Sequence, residues 1–498
     1  MKGSSMQTRM QDRLVSVIKR NQLVYKIGRY LYMKYHRFRL VLVIKINQLV
    51  YKIGRYSYTK YKKSRSRKDS YSRIKQPNAV DHLDSSSKPG LNVIILVVDC
   101  LRGSQLSCRG YPRETTPFLD AFGSKFRAIS AACWTHPAVA SLLTGLYPHN
   151  HNAIIGDKMK HFVHLENLYT IRKPIVTLPE ILSLAGYRVY LGTGISVAFY
   201  PIKGRRIPDV HDRWANADEL MTELTSWIYK KSGPFFAYLH LADLHEPLQP
   251  PQDFRNFFGK VKDIPKINKW DFGRPEMQQG AQFQEYKENR ILLYDNTLRY
   301  VDHAIEKFYA TLKDIGLVDS TILIITADHG EEFWEHAALE AENFYDPRGY
   351  YGVGHGHSVF NEILEIPLLI SAPGIPNRQS NHLVSLVDIM PTVLDLLEVR
   401  HELKFDGQNI LDKQEPGRPL LSEASGYGYE KKALIIGRFK LIYSQDDGVA
   451  WVFDLEKDPQ ELHPITDHGV VSMFVDKLSE IQKRDKKRRI KENIEEKI

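Results

Sequence analysis

Residues 92–99 read NVIILVVD, a continuous apolar run, rich in β-branched side chains, that ends in Asp99. Such runs fill central strands of parallel sheets, which are buried on both faces. Residues 177–194, TLPEILSLAGYRVYLGTG, add a helix, a glycine stop and a strand, and a further helix stops at Gly316 before the strand TILIITAD. The sequence therefore predicts an α/β fold, a doubly wound, mostly parallel sheet with helices on both faces.

The C-terminal part of the chain has a different pattern. Past Arg418 the short runs ALIIG, RFKLIYS and AWVFDLE, separated by Gly and Asp turns, predict a small antiparallel sheet. The last residues, KRDKKRRIKENIEEKI, are dense in charge and predict a solvated helix. We expect a basic N-terminal arm over 1–76, a linker over 77–90, a catalytic domain over 91–415, an antiparallel subdomain over 416–470 and a charged C-terminal helix or tail over 471–498.

The N-terminal arm concentrates the positive charge. Residues 1–76 hold 21 lysines and arginines against two aspartates, so their net charge is +19 while the rest of the chain carries −9. The segment NQLVYKIGRY starts at Asn21 and again at Asn47, and its spacing is typical of a basic amphipathic helix that lies on an anionic membrane surface. A solvated extension is an equal alternative. Nucleic acid is a less favoured partner, because no recognised binding module accompanies the arm.

Composition and cysteine content indicate the class of protein and its compartment. Hydrophobic residues at 43% and charged residues at 26% exclude a fibrous or multi-spanning chain. The three cysteines, Cys100, Cys108 and Cys133, form no disulfide framework. The opening residues lack the apolar run of a secretory signal, and the run LVLVI at 40–44 is far shorter than the ~20 residues that span a bilayer. We expect a cytoplasmic protein, peripheral on the membrane if the arm binds it.

Polar residues that end the predicted strands are candidate ligands. Asp99 ends the first strand, and Asp328 and His329 end a later one. Ligands of open parallel sheets bind beyond the carboxyl ends of the strands, and two carboxylates with an imidazole suit a divalent metal ion. Each residue taken alone would more often be a loop or cap residue.

The stretch THPAVASLLT supplies a candidate nucleophile. Pro137 fits the first turn of a helix, which places Thr135 and His136 at or just before the helix N-terminus. Backbone amides and the helix dipole favour an anion there, and they would hold Thr135 as an alkoxide. Without other motifs, Thr135 would be interpreted as an N-cap residue.

Eight segments resemble, in order, the successive blocks of the sulfatase family within the alkaline phosphatase superfamily. They are NVIILVVDCLR, YPRETTPFLD, THPAVASLLTGLYPHNH, HLADLHEP, ITADHGEEFWEH, GHGHSVFNEILEIPLLI, VDIMPTVLDLL and FKLIY…WVFDLEKDPQELH, and they cover about residues 91 to 465. The resemblance implies a metal-dependent hydrolase of sulfate or phosphate esters.

The resemblance also assigns roles to individual residues. It implies that Asp99, Asp328 and His329 are metal ligands and that Thr135, aligned with the nucleophile, completes the coordination. His245 matches the histidine that contacts the substrate anion or protonates the leaving group. The remaining predicted substrate-binding residues are His136, His355 and His357; which of the last two faces the site is open.

This sequence departs from the family pattern at three points. The Cys-x-Pro-x-Arg pattern that matures to formylglycine is replaced by Thr135-His136-Pro137-Ala138-Val139, so we expect no formylglycine. A threonine ester is relieved only by attack from water or an acceptor, which favours hydrolysis of phosphodiesters or phosphonates, or transfer of a phospho group. Cys100 stands where relatives have a second acid, and the Asp243 to His245 spacing is short. We therefore expect one divalent ion, with Zn or Mn favoured over Ca or Mg.

Two other functions stay open on the sequence. The missing cysteine, arginine and acid are compatible with a catalytically inactive, metal-stabilised binding protein that the basic arm tethers to an anionic surface. An active enzyme anchored by the arm would instead modify lipid headgroups or surface glycans.

Overall fold

The computed structural model describes residues 90–159, 163–230, 232–262, 272–412 and 417–495. The predicted arm over 1–76 and nearly all of the predicted linker lie outside these residues, and the proposed domain boundaries stay predictions. Among the helices of the described ranges, none combines the length and apolar character needed to cross a membrane.

Eight strands of the described chain form the central sheet, in the order β10-β2-β9-β6-β1-β5-β3-β4. The strands are β1 (Asn92–Val98), β2 (Ser124–Ile129), β3 (Arg188–Thr193), β4 (Asp209–Asp212), β5 (Phe235–Leu241), β6 (Thr321–Thr326), β9 (Glu365–Ser371) and β10 (Gln379–Ser385). All seven residues of β1 are buried, so both faces of the sheet are covered at its centre, because successive side chains of a strand point to opposite faces. This confirms the predicted fold class.

One strand of the central sheet runs against the others. β9 pairs antiparallel with β2 and with β6, while the remaining pairs of the sheet are parallel. Two further strands, β7 (Glu332–Phe333) and β8 (Val353–Gly354), form a separate short antiparallel pair beside it. The sheet is thus mixed but mostly parallel.

Helices cover the sheet and carry the loops of the candidate site. They are α1 (Pro117–Ala121), α2 (Thr135–Thr144), α3 (Pro148–His151), α4 (Leu178–Leu184), α5 (Ala217–Tyr229), α6 (Gly280–Asp314), α7 (Ala337–Asn343), α8 (Asn361–Leu364) and α9 (Ile389–Leu396). Short 3-10 helices cover Gly103–Gln105, Ser107–Arg109, Leu165–Asn167, Ser196–Ile202, Pro275–Met277, Val318–Ser320 and Leu386–Asp388. Every residue of α2 is buried, so this helix lies inside the molecule.

The C-terminal strands form the predicted small antiparallel sheet, in the order β11-β12-β13-β14. They are β11 (Leu420–Ser422), β12 (Lys432–Ile436), β13 (Phe439–Ser444) and β14 (Val449–Asp454), followed by the helix α10 (His468–Glu495). In α10, the residues Phe474, Leu478 and Ile481 precede the charge-dense segment that starts at Lys483, and they are buried in one apolar cluster with residues of the small sheet.

Candidate active site

Three neighbouring parallel strands bring the principal polar residues to one edge of the sheet. Asp99 follows β1, Asp328 and His329 follow β6, and His240 lies near the end of β5. β1 lies between β5 and β6 and is parallel to both, so the carboxyl ends of the three strands lie side by side. The sheet topology thus assembles the site that the sequence predicts.

The side chains of Asp99, Asp328 and His329 converge on one point. Their ligand atoms all lie within 4.8 Å of one another. His329 Nε2 is 3.4 Å from Asp99 Oδ1 and 3.3 Å from Asp328 Oδ2. All three side chains are inaccessible to solvent. His329 Nδ1 lies 2.8 Å from the carbonyl oxygen of Gly330 and donates to it, which leaves the lone pair of Nε2 for a metal ion.

Thr135 reaches this cluster from the N-terminus of α2. It is the first residue of the helix, after an extended Trp134, and is 2% exposed. Its hydroxyl Oγ1 lies 3.2 Å from His329 Nε2. The hydroxyl therefore lies beside the cluster of two carboxylates and one imidazole, and the helix N-terminus adds a partial positive charge there.

The electrostatics of the cluster suit a cation. Burial raises the pKa of Asp99, but the hydrogen bond from His240 and the nearby imidazoles hold it well below its usual range. Burial and the charge of Asp99 raise the pKa of Asp328. Asp328 Oδ2 is buried and has no hydrogen-bond partner among the described residues. A buried carboxylate oxygen without a donor is costly, so the residues present fit a divalent ion, which would satisfy it.

Two partly exposed imidazoles border the buried cluster. The ring of His355 lies 4.3 Å from that of His329 and 5.2 Å from that of His245. His355 Nδ1 is 2.6 Å from Glu331 Oε2, and His245 Nδ1 is 2.8 Å from the carbonyl oxygen of Glu246. In both rings Nδ1 is held by a protein partner, which fixes the orientation of the ring.

The loop that carries His355 is fixed from two directions. The amide of Gly356 donates to the carbonyl of Cys133, 2.8 Å away, just before α2. The carbonyl of Gly356 accepts from the amides of Gly426 at 2.7 Å and Tyr427 at 3.1 Å, which belong to the segment between β11 and β12. The position of His355 therefore depends on both the segment just before α2 and the C-terminal part of the chain.

Comparison with known proteins identifies the family of the chain. The family model described as Sulfatase matches residues 91–399, more than half of the chain. The chain belongs to the sulfatase family.

Relatives within and around the family match along most of the chain. An arylsulfatase of Clostridium perfringens (strain 13 / Type A) is 23% identical over 451 residues, which cover 74% of this chain and 89% of the relative. Arylsulfatase K of Canis lupus familiaris is 26% identical over 447 residues, which cover 74% of this chain and 78% of the relative. The crystal structure of a phosphonate monoester hydrolase of Agrobacterium radiobacter superposes with a TM-score of 0.61 at 19% identity, covering 79% of this chain and 96% of that one, and shows the same fold.

Two predicted substrate residues of this sulfatase-family chain lie in other surroundings. His357 Nε2 contacts Glu332 and Glu340, in a cluster distinct from that of His355. His136 is buried with Nε2 2.9 Å from the carbonyl oxygen of Tyr169, and burial lowers its pKa to about 4, so the ring is neutral. The structure thus brings His355 to the site, and the substrate roles of His136 and His357 stay predictions.

His240 is a residue of the site that sequence analysis missed. Its Nε2 lies 3.2 Å from Asp99 Oδ2 and 3.8 Å from Asp328 Oδ2, and its Nδ1 is 2.9 Å from the hydroxyl of Tyr238. The ring is fully buried. The available signal was an imidazole inside an otherwise apolar strand next to β1, in the block HLADLHEP that was quoted for its second histidine.

The two cysteines near the site are not prepared for nucleophilic attack. Cys133 is buried in an apolar cluster, and burial raises its pKa to about 11. Burial and the charge of Asp99 raise the pKa of Cys100 far above its usual value, and its thiol lies 3.2 Å from Asp99 Oδ1. Both thiols stay protonated at neutral pH, whereas only the thiolate is a strong nucleophile.

Proposed function

We propose that this chain is a metal-dependent hydrolase of phosphodiesters or phosphonate esters that uses Thr135 as its nucleophile and no formylglycine. The observation that carries the proposal is the 3.2 Å contact between Thr135 Oγ1 and His329 Nε2 inside a buried cluster of two carboxylates and one imidazole. Membership of the sulfatase family supports the coarser function, hydrolysis of sulfate or phosphate esters.

One divalent ion, Zn or Mn by preference, would be held by Asp99, Asp328 and His329 together with Thr135. When bound, such an ion lowers the pKa of a coordinated hydroxyl and stabilises negative charge on a transferred phosphoryl group. The chain's own part is to orient the ligands. His240 donates to Asp99, and Gly330 fixes the tautomer of His329.

Each protein residue of the site has a separate role in the proposed reaction. Thr135 Oγ1 attacks phosphorus, the bond from phosphorus to the leaving oxygen breaks, and His245 in its imidazolium form gives that oxygen a proton. The N-terminus of α2 meets the negative charge on the phosphoryl oxygens, whereas burial and the neighbouring His329 lower the pKa of His355 to about 3, so that this ring contacts the substrate in its neutral form. Water then attacks the phosphothreonine, neutral His245 accepts one proton of the water, and Thr135 departs as the alkoxide, the form in which it attacks and which a bound ion would stabilise.

The absence of a formylglycine pattern favours phosphorus over sulfur. A hydrated aldehyde can expel sulfate by collapsing to the carbonyl, whereas a threonine ester has no such route and requires attack by water. Cys133, the cysteine nearest to Thr135 in the chain, is buried among apolar residues. The phosphonate monoester hydrolase that shares this fold supports a phosphorus ester substrate. Transfer to an acceptor, also expected from the sequence, has no support among these relatives, whose names denote hydrolases.

The test compares Thr135→Ala and Thr135→Ser with the parent on aryl phosphodiester, aryl phosphonate and aryl sulfate, with Mn or Zn. Thr144→Ala, at the opposite end of α2, is the matched control. We expect Thr135→Ala to lower kcat/KM at least about 10³-fold while metal content stays, and Thr135→Ser to keep measurable activity. Undiminished turnover by Thr135→Ala would remove Thr135 as the nucleophile.

The same panel decides against the inactive alternative. A metal-stabilised binding protein would retain its ion and hydrolyse none of the three esters. A preference for the aryl sulfate over both phosphorus esters would keep the family assignment and overturn the substrate class proposed for the chain.

A further inference from the structure

A second cluster of buried carboxylates and an imidazole lies outside the candidate active site. Glu332 belongs to β7, Glu340 to α7, and His357 to the loop after β8. All three residues are at most 4% exposed. Their ligand atoms lie within 4.8 Å of one another, as do those of the candidate active site.

The spacing of these atoms is that of metal ligands. His357 Nε2 lies 3.1 Å from Glu332 Oε2 and 3.3 Å from Glu340 Oε2. Oxygen and nitrogen ligands about 2.0 to 2.2 Å from a divalent ion are separated from each other by roughly 3.0 to 3.5 Å. The corresponding distances from His329 to its two aspartates are 3.3 and 3.4 Å. The two clusters therefore share both donor types and spacing.

The cluster also contains buried polar atoms without a hydrogen-bond partner among the described residues. Glu340 Oε1 is buried and has no hydrogen-bond partner in the described part of the chain, although its Oε2 accepts from the amide of Gly352 at 2.8 Å. The buried hydroxyl of Ser358 lies near enough to lower the pKa of Glu340, yet its Oγ makes no hydrogen bond of acceptable geometry. Burial and the charge of Glu340 raise the pKa of Glu332 to about 8.

The ring of the neighbouring histidine is directed to other partners. His336 Nδ1 lies 2.6 Å from Glu362 Oε1, and its Nε2 lies 2.8 Å from the carbonyl oxygen of Gln460. Both ring nitrogens are occupied by these partners. Glu332 and Glu340 are consequently left with His357 as the imidazole between them.

We propose that Glu332, Glu340 and His357 bind a second divalent cation of the borderline class, Zn or Mn, with a structural role. The ion would displace two protons, one from His357 and one from Glu332, and Glu340 Oε1 and Ser358 Oγ are further oxygen donors for it. Its effect is to join β7, α7 and the loop after β8. Because His355 lies two residues before His357, the ion fixes the loop that carries His355.

The experiment counts metal ions in the full chain rather than activity. Protein loaded with Zn or Mn and desalted is analysed by mass spectrometry of its metal content, for the parent, Glu340→Gln, Asp328→Asn and Glu342→Gln. Glu342 is the matched control, because it lies on α7 beside Glu340 but is exposed. We expect two ions per chain in the parent and in Glu342→Gln, and one ion in each of the other variants.

The two single-ion variants should differ in where the ion remains. Glu340→Gln should keep the ion of the active site and its activity should fall only through the loop of His355, whereas Asp328→Asn should keep the structural ion and lose turnover. If Glu340→Gln does not fold, the ion retained by Asp328→Asn decides. One ion in the parent that Glu340→Gln keeps, none in Asp328→Asn, or two in Glu340→Gln would each overturn the second site and leave the proposed reaction unaffected.

Discussion

The imidazole of His240 connects β5 to the carboxylates at the ends of β1 and β6. Its Nδ1 contacts the hydroxyl of Tyr238, and its Nε2 donates to Asp99. The ring therefore orients Asp99, a proposed metal ligand, without being one of the proposed ligands itself. Removal of such an orienting partner typically lowers metal affinity by about 10-fold to 100-fold. We expect His240→Gln to weaken Zn or Mn binding by about that factor in a competition titration with a chelator.

His303→Gln is the control for His240, because His303 is exposed on α6. Equal affinity in His240→Gln and the control would show that Asp99 holds its position without the imidazole.

Gly330 sets the backbone path directly after His329. A Cβ at Gly330 would lie 2.1 Å from the carbonyl oxygen of Glu362, while the Gly330 amide donates to Ile363 at 2.7 Å. Gly330→Ala therefore has to displace backbone, and we expect a loss of about 1 to 3 kcal/mol in the free energy of unfolding together with weaker metal binding. Urea unfolding and metal titration measure the two effects. Gly469→Ala, whose nearest neighbour would be a side-chain oxygen at 3.1 Å, should change neither.

The sequence predicted those site residues that end strands, and it missed those whose role depends on neighbouring strands. Asp99, Asp328 and His329 were predictable because a polar residue after an apolar run marks the carboxyl end of a strand. His240 lies within a strand, and only the pairing of β1 with β5, which places His240 opposite Val97, brings it to Asp99. Local pattern does not contain that pairing.

At the scale of elements, the same limit explains β9. The apolar sequence EIPLLIS predicts a buried strand, but an apolar run reads the same in either direction. Its antiparallel direction follows from the path of the chain. The amides of Gly330 and Glu331 donate to the carbonyls of Ile363 and Glu362, at the end of α8, and β9 then starts beside β6 and runs back.

The imidazole of His149, whose side chain is 15% exposed, joins the helix α10 to the rest of the described chain. His149, in α3, lies 2.5 Å from Glu423 Oε1 and 3.0 Å from Asp485 Oδ2 of α10. Burial lowers the pKa of His149, but the two carboxylates raise it to about 9. Asp485 is 1% exposed, so the charge-dense tail packs against the rest of the described chain at this residue. Composition predicted a helix but could not identify its partner.

This imidazole makes stability depend on pH in a defined direction. A pKa that is higher in the folded than in the unfolded protein contributes stability fully below about pH 6.5, and the contribution is lost as the pH rises through about 9. We expect the free energy of unfolding of the parent to fall by on the order of 3 kcal/mol more than that of His149→Gln between pH 7 and pH 10. Urea titrations at both pH values measure it. Parallel losses in the two proteins would contradict the assignment.

At the scale of the whole molecule, the charge is divided between the arm and the body. Residues 1–76 carry a net charge of +19 and lie outside the described residues, and the rest carries −9. We propose that the arm holds a cytoplasmic enzyme on anionic lipid, and expect deletion of 1–76 to abolish sedimentation with phosphatidylserine vesicles while kcat/KM on a soluble aryl phosphodiester stays unchanged.

Salt provides the control for the arm. Binding of the full chain should fall steeply between about 0.05 and 0.5 M NaCl, because the attraction is electrostatic and is screened. Loss of activity on deletion would show that the arm belongs to the catalytic body, and sedimentation with neutral phosphatidylcholine vesicles equal to that with anionic ones would contradict charge as the cause.

The attachment of Gly356 to both Cys133 and Tyr427 has a consequence during synthesis. Every proposed ligand of the active-site ion precedes Glu331, so a nascent chain possesses this ligand set well before it is finished. The loop of His355, the histidine that we propose to face the substrate, gains its hydrogen bond from Tyr427 only after Tyr427 has left the ribosome. A chain that is terminated before Tyr427 would accordingly bind the active-site ion but would not catalyse the reaction.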